Sequence, residues 1–391
     1  MTFGDGFFTV FKGAFKAFFD NTFNMEEEIN EVIDEHAPFL MVGPHIAIED
    51  SLIAIAYSRK LIRFLAAEGN MDTAWKNAAF RVFNVIPFAR QRLDIKAIRR
   101  LTEAIAKGHP VGLFPEGARS WDGRNLPIIP STAKLVKMLG VPVYNVAFKG
   151  LYLSRPRWAE GNGRKGKVLV SIKRVFTQEE VAHASLDEVL KELEAAVAYD
   201  EFVWQRNAMV RFAGKNYAEY IERILYRCPS CGGLNTLASK GDQFSCRACG
   251  AQYAVNAYGF IEGCARFDNT GTWNAWQQGN THEFLKTTYS FENPSIFLIR
   301  SVGKKRFKDI VDMILTERAL SIAFPDGTET EIPLSETRGC DALFGDMVEF
   351  WYGDIKYRFR FDPLKRHMSV KLFEDILSVH IEAAQQMAED K

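Results

Sequence analysis

Residues 39–56 read Phe39-Leu-Met-Val-Gly-Pro-His45-Ile-Ala-Ile-Glu-Asp50-Ser-Leu-Ile-Ala-Ile-Ala56, and the division of that stretch decides the fold. Phe39–Val42 is a short apolar run of strand character. A helical pattern follows it, expected from about Ala47 to Ala67. The same alternation continues downstream. Val111–Phe114 reads as a buried strand ending in a turn, Ser131–Leu139 as a helix, and Val141–Ala147 and Lys167–Val175 as two further strands. Strands alternating with helices imply an α/β domain, a mixed sheet flanked by helices, over residues 25–226. Thr177-Gln-Glu-Glu180 and Ser185-Leu-Asp-Glu188 are capping boxes that open helices, and a partly charged helical stretch is expected to run to about Tyr226.

Two constellations carry chemistry. His45 and Asp50 would stand about 140° apart within one helix. They meet if His45 lies in the loop and Asp50 in the first helical turn. Asp50 would then accept from one imidazole nitrogen and leave the other to take a proton from a hydroxyl. The competing reading is a solvated loop histidine. The second constellation is Phe114-Pro-Glu116-Gly117-Ala-Arg119-Ser120, after the strand at 111. Gly117 permits a sharp turn or a close ligand approach. Arg119 suits a phosphate, because a guanidinium matches phosphate oxygens in bidentate fashion. Glu116 would bind acceptor hydroxyls or hold Arg119, and the bland alternative is a turn with a surface ion pair.

Together these blocks resemble the glycerolipid acyltransferase family, typified by 1-acylglycerol-3-phosphate acyltransferase, whose first block is His-x4-Asp and whose third is Phe-Pro-Glu-Gly-Thr-Arg-Ser. The order and separation agree. Asn84-Val-Ile-Pro-Phe-Ala-Arg90 stands where the second block is expected and Val141-Pro-Val-Tyr-Asn-Val146 where the fourth is. The resemblance covers about residues 30–200 and implies that His45, paired with Asp50, deprotonates an acceptor hydroxyl that attacks an acyl thioester directly. It also implies that Arg119 and Arg90 grip the acceptor phosphate, that Glu116 and Gly117 help bind substrate, and that the donor is acyl-coenzyme A or acyl carrier protein. The chain departs from the family at Pro44, at Ala118 (usually Thr), at Asn145 (usually Pro) and at Ile128–Ser131, where a phosphate-binding Lys is missing. Those changes put the acceptor headgroup in question, and glycerol 3-phosphate is an alternative acceptor. A reading from another class is a non-catalytic lipid-binding scaffold that keeps the fold.

The rest of the chain adds three segments. Residues 1–24 form an amphipathic helix with Phe3, Phe7, Phe11, Phe15 and Phe18 at helical spacing, part of a total of 31 Phe. It either packs on the domain behind it or lies in a membrane interface as a peripheral anchor. Cys228-Pro-Ser-Cys231 and Cys246-Arg-Ala-Cys249 have the spacing of a four-thiolate zinc ribbon over 227–262, structural in role, with iron as the minor alternative. Residues 263–391 carry two hairpin signals, at Asp326-Gly327 and Gly353-Asp354, and a closing helix from about Pro363 to Met387. This β-rich domain is similar in outline to pleckstrin-homology-like modules, with Trp273 and Trp276 as candidate lipid or protein contacts. Forty-nine basic residues balance 49 acidic ones, so no nucleic-acid partner is expected. No apolar run approaches the roughly 20 residues of a membrane span. The expectation is a cytoplasmic protein, peripheral on the inner face of a membrane.

Overall fold

The structure is a computed structural model that describes residues 2–67, 78, 80–88, 94–161, 163–291, 296–302, 305–343, 345–361 and 369–390. The chain divides into two compact units, residues 1–156 with 162–214, and residues 157–161 with 215–391.

The first unit is built on a seven-stranded sheet of β1 (Met25–Asn30), β2 (Leu40–Val42), β3 (Arg63–Ala67), β4 (Ile86–Phe88), β5 (Val111–Gly112), β6 (Val143–Lys149) and β7 (Val168–Phe176). The order is β1-β7-β6-β2-β5-β3-β4. Every neighbouring pair is parallel except β6 and β7, so the sheet is mixed, as expected. Strand β2 is apolar throughout because it is buried on both faces. Met41 packs into the core shared with α1 (Phe3–Phe23) and α2 (Asp50–Ala56). Leu40 and Val42 face the core shared with α3 (Ile95–Ala106), α4 (Ser131–Leu139) and, beyond the short α5 (Leu151–Ser154) and α6 (Gln178–His183), with α7 (Leu186–Val197). Because β2, β5 and β6 run parallel, the loops at 43–50, 113–124 and 150–155 leave from one edge of the sheet. That edge, at the carboxyl ends of parallel strands, is where open α/β sheets bind ligands.

The helix expected from Ala47 to Ala67 is corrected. It starts at Asp50 and stops at Ala56, and Arg63–Ala67 is a strand. The polar break at Ser58-Arg59-Lys60 ends the helix, and pairing of Arg63 and Phe64 with β5 claims the residues beyond it. Tertiary pairing here overrides a local apolar pattern that fits either element. Both expected capping boxes are present, opening α6 and α7. The helical stretch ends with α8 (Glu201–Ala208), where Met209 turns left-handed, rather than at Tyr226.

Helix α1 packs on the domain behind it and keeps a second apolar side exposed. Phe8, Phe19 and Phe23 are buried in the core, while Phe3, Phe7, Phe11 and Phe18 are exposed, Phe3 to 78%. By helical geometry these are two apolar stripes side by side, centred about 120° apart. Polar ties fix the helix in place: Asp20 accepts from the Tyr57 hydroxyl, and Asp5 pairs with Arg63 at 3.4 Å. Gly4 lies so close to Val82 that a Cβ there would stand 1.9 Å from its carbonyl oxygen.

In the second unit β8 (Leu237–Lys240), β9 (Gln243–Cys246), β10 (Gln252–Val255) and β11 (Ile261–Glu262) form a small antiparallel sheet, followed by α9 (Thr270–Gln278). Two antiparallel sheets follow. One is β12 (Tyr289–Phe291), β15 (Asp312–Leu315), β16 (Ala319–Ala323) and β17 (Glu329–Pro333). The other has the order β14 (Lys305–Ile310), β13 (Ile296–Val302), β20 (Ile355–Phe361), β19 (Met347–Tyr352) and β18 (Thr337–Leu343). Both expected hairpins are present, with Gly327 and Gly353 left-handed at their turns. The closing helix is α10 (Val370–Glu389). Trp273 is core rather than a contact surface: it is fully buried, its Nε1 donating to the Arg227 carbonyl at 3.0 Å. Among the described residues no helix is long and apolar enough to cross a membrane.

Candidate active site

Asp50 is the first residue of α2 and is fully buried. Its Oδ2 lies 2.9 Å from His45 Nδ1 and accepts from the Ile46 N–H at 2.6 Å, while Oδ1 accepts from the Ala47 N–H at 3.0 Å. The loop therefore wraps its own backbone donors around one carboxylate, and the imidazole closes the set through Nδ1. This is the arrangement expected from the spacing, with His45 in the loop and Asp50 in the first turn. About a fifth of the His45 side chain is exposed. Burial pushes the Asp50 carboxyl up to about 8, against the pull of the two backbone donors and of the Arg119 charge.

The loop after β5 holds His45 from the other side. The His45 N–H donates to Glu116 Oε1 at 2.9 Å, and its carbonyl accepts from the Ser120 N–H at 2.8 Å. The ring stacks on Phe114, centroids 4.3 Å apart and planes within 9°, and Phe114 stacks in turn on Phe64. Glu116 is buried, and its second oxygen accepts from the Leu126 N–H at 2.7 Å. Each carboxylate oxygen thus has a backbone donor, and burial raises this group to about 8 as well. Sequence reasoning missed this clamp, and it missed Phe114 as the floor of the imidazole. The one available signal was an aromatic residue two positions before a carboxylate in a short turn.

Glu116→Gln leaves one oxygen for two backbone donors and turns its amide N–H groups on the other. An unmet buried donor costs about 1–3 kcal/mol. The variant is expected to lose about tenfold or more in kcat, with a lower melting temperature and an unchanged acceptor KM. A raised KM at constant kcat would instead mean that Glu116 touches the acceptor.

Gly117 has φ +71°, and its N–H closes the turn on the Phe114 carbonyl. A side chain there would be strained, and its Cβ would also meet Ile129 at 3.0 Å. Arg119 is half-buried and close enough for its charge to act on both Asp50 and Glu49. Arg90, the second candidate for the phosphate, lies outside the described residues.

In the second unit Cys228, Cys231, Cys246 and Cys249 bring their Sγ atoms within 4.8 Å of one another. The closest pairs, Cys228 with Cys249 and Cys231 with Cys246, are 3.8 Å apart. That is about the tetrahedral edge for a metal–sulfur bond of ~2.3 Å, and far too long for a disulfide. The two knuckles are alike. Gly232 and Gly250 are both left-handed, and each donates its N–H to the carbonyl of the first cysteine of its pair at 2.9 Å. The donor set is compatible with one metal ion.

Residues 24–149 match the Acyltransferase family model. The chain is similar to a chloroplastic 1-acyl-sn-glycerol-3-phosphate acyltransferase of Brassica napus, 29% identical over 141 residues, covering 35% of this chain and 40% of that one. It is similar also to a chloroplastic 1-acyl-sn-glycerol-3-phosphate acyltransferase of Arabidopsis thaliana, 25% identical over 150 residues, covering 38% of this chain and 42% of that one. The chain thus spans about two fifths of the length of these curated relatives. Among solved structures, the 1-acyl-sn-glycerophosphate acyltransferase of Thermotoga maritima superposes with a TM-score of 0.41 at 22% identity, over 50% of this chain and 79% of that one.

Proposed function

We propose that this chain, whose residues 24–149 resemble the 1-acylglycerol-3-phosphate acyltransferases, is an O-acyltransferase that moves a fatty acyl group from a thioester donor to the hydroxyl of a lysophospholipid. The observation that carries this reading is the contact of His45 Nδ1 with the buried Asp50 carboxylate, because a binding protein has no need of an oriented base. With Asp50 ionised and the proton on Nδ1, Nε2 takes the acceptor hydroxyl proton. The alkoxide oxygen attacks the thioester carbonyl, the carbon–sulfur bond breaks, and the departing thiolate receives the proton from Nε2. The ester and a free thiol are the products, and no acyl-enzyme forms. Arg119, with Arg90 as second candidate, holds the acceptor phosphate, and 1-acylglycerol-3-phosphate is the favoured acceptor. Transfer from labelled acyl-coenzyme A or acyl carrier protein to a panel of lysolipids, by wild type beside His45→Ala, tests the reading. A wild type inactive on every acceptor would overturn it.

The exposed stripe of α1 supports a peripheral place on a membrane surface, and the cytoplasmic face is proposed with it. Four Phe rings on one side of a helix that is already anchored by its neighbouring stripe give an insertion surface without a folding transition. Each buried Phe contributes about 1.5–3 kcal/mol of transfer free energy. Phe3, Phe7, Phe11 and Phe18 replaced together by Ser are expected to weaken binding to phosphatidylcholine vesicles by about 100-fold or more, read by co-sedimentation, with the fold kept. Unchanged sedimentation would remove α1 from the membrane. The four cysteines are assigned to one zinc ion in a structural role, since four protein thiolates close its coordination.

A further inference from the structure

Arg155 leaves α5 at the same sheet edge as His45 and Glu116, and the chemistry above does not use it. Its Nη1 donates to Glu49 Oε1 at 2.7 Å, and its guanidinium carbon stands 5.3 Å from the centroid of the Phe23 ring at the end of α1. Glu49 directly precedes Asp50. Its side chain is largely buried, and its Oε2 is buried without a hydrogen-bond partner. As a strut the pair is poor. A carboxylate taken out of water with one oxygen unmet recovers little from a single partner that is itself one third exposed. What the pair does achieve is position. It holds a cation beside the catalytic loop, where Arg155 and Arg119 both act on the Glu49 charge, and next to the last aromatic ring of the Phe-rich helix. A guanidinium has five N–H donors in a fixed fork, so the Glu49 contact and a phosphate contact are compatible.

We propose that Arg155, positioned by Glu49, binds the phosphomonoester of the acceptor together with Arg119 and so selects phosphorylated over unphosphorylated acceptors. It would bring a second cation to the acceptor phosphate from the loop that follows β6. The proposal rests on the acyl-transfer reading for its selectivity but not for its binding.

The test uses the full chain with Arg155→Ala and Arg155→Lys, each checked for an unchanged melting curve. Relative kcat/KM for lysophosphatidic acid over monoacylglycerol is measured, and calorimetry follows binding of glycerol 3-phosphate and of inorganic phosphate. In Arg155→Ala the ratio is expected to fall about 10- to 100-fold through the KM for the phosphorylated acceptor, with partial recovery in Arg155→Lys, which keeps the charge and loses the fork. Glycerol 3-phosphate affinity should fall alongside. Equal loss on both acceptors, or glycerol 3-phosphate affinity unchanged by Arg155→Ala, would overturn the proposal. So would inorganic phosphate binding as tightly as glycerol 3-phosphate, which would assign the site to the free ion. A wild type that transfers to neither acceptor yet loses glycerol 3-phosphate in Arg155→Ala would sink the acyl-transfer reading and uphold the anion site.

Discussion

Replacing His45 with alanine is expected to lower kcat for acyl transfer by about 10²- to 10⁴-fold, the range a positioned general base contributes, with little change in acceptor KM. Asp50→Asn should cost nearly as much for a different reason. In the proposed mechanism the ionised carboxylate fixes Nδ1 as the protonated nitrogen and leaves the Nε2 lone pair for the substrate. An amide can present its own N–H to Nδ1 and hold the opposite tautomer, with Nε2 protonated and unable to act as base. Its remaining oxygen still serves Ala47, but the Ile46 N–H, which donates to Oδ2, then faces the amide nitrogen and loses its acceptor, so a lower melting temperature should accompany the loss in kcat. The pH dependence follows from burial. Asp50 and Glu116 are both pushed up to about 8, so as pH falls through that value the site takes up protons and the pair loses the charge that would stabilise an imidazolium. Transfer should therefore rise with pH through about 8, above the range of an ordinary histidine. Stability has the opposite sign. Between the ordinary carboxylate range and about pH 8 the folded chain keeps protons that the unfolded chain has lost, so these two groups make folding less favourable as pH rises. Activity and melting temperature measured over one pH series should move in opposite directions, and a rate profile flat down to pH 5 would count against the assignment of the base.

Much of this was legible in the residues, and the parts that were not share a cause. Phe39–Val42 could be read as a strand because burial on both faces removes every polar residue from it, and Ser131–Leu139 as a helix because one of its faces alone meets the core. The meeting of His45 with Asp50 was legible because it is local, a loop closing on the first turn of its own helix. Arg63–Ala67 was not. Its apolar residues fit a helix as well as a strand, and only β5, nearly 50 residues later, decides between them. Glu116 and Arg155 escaped for the same reason. Each could be seen to be a charged residue near a strand end. What Glu116 does depends on the His45 and Leu126 N–H groups facing it, and what Arg155 does depends on Glu49, 106 residues earlier. The Phe-rich helix was legible in kind but not in detail. A stripe of Phe cannot say which rings meet protein, whereas Gly4 against Val82 and Asp20 against Tyr57 fix its rotation.

Removing the metal from the four-cysteine cluster is expected to unfold the ribbon. The strands it joins, β8 to β10, have four residues each, too few to stand on their own hydrogen bonds. Their apolar support includes Phe244, Tyr253 and Trp273, packed with ring centroids 5.1–5.8 Å apart. A structural zinc site contributes about 10–16 kcal/mol of apparent binding free energy at neutral pH, a large share of what a segment this small needs to stay folded. The purified chain should carry one metal ion per molecule, colourless if zinc and visibly coloured if iron held by four thiolates. Stripping it with a strong chelator, or replacing the buried Cys228 with Ser, should expose the 227–262 segment to protease and quench the near-ultraviolet signal of Trp273. Metal added back should reverse the chelator effect but not the substitution. The effect should stop short of the first unit. The hydrogen bonds described above for His45, Asp50 and Glu116 all have partners in the first unit. Phosphate binding by the stripped chain should therefore survive, and if it vanished together with the ribbon, the metal would have to be supporting the acyltransferase site as well. A stripped chain that kept its protease pattern and its tryptophan signal would show that the four thiols hold no structural metal.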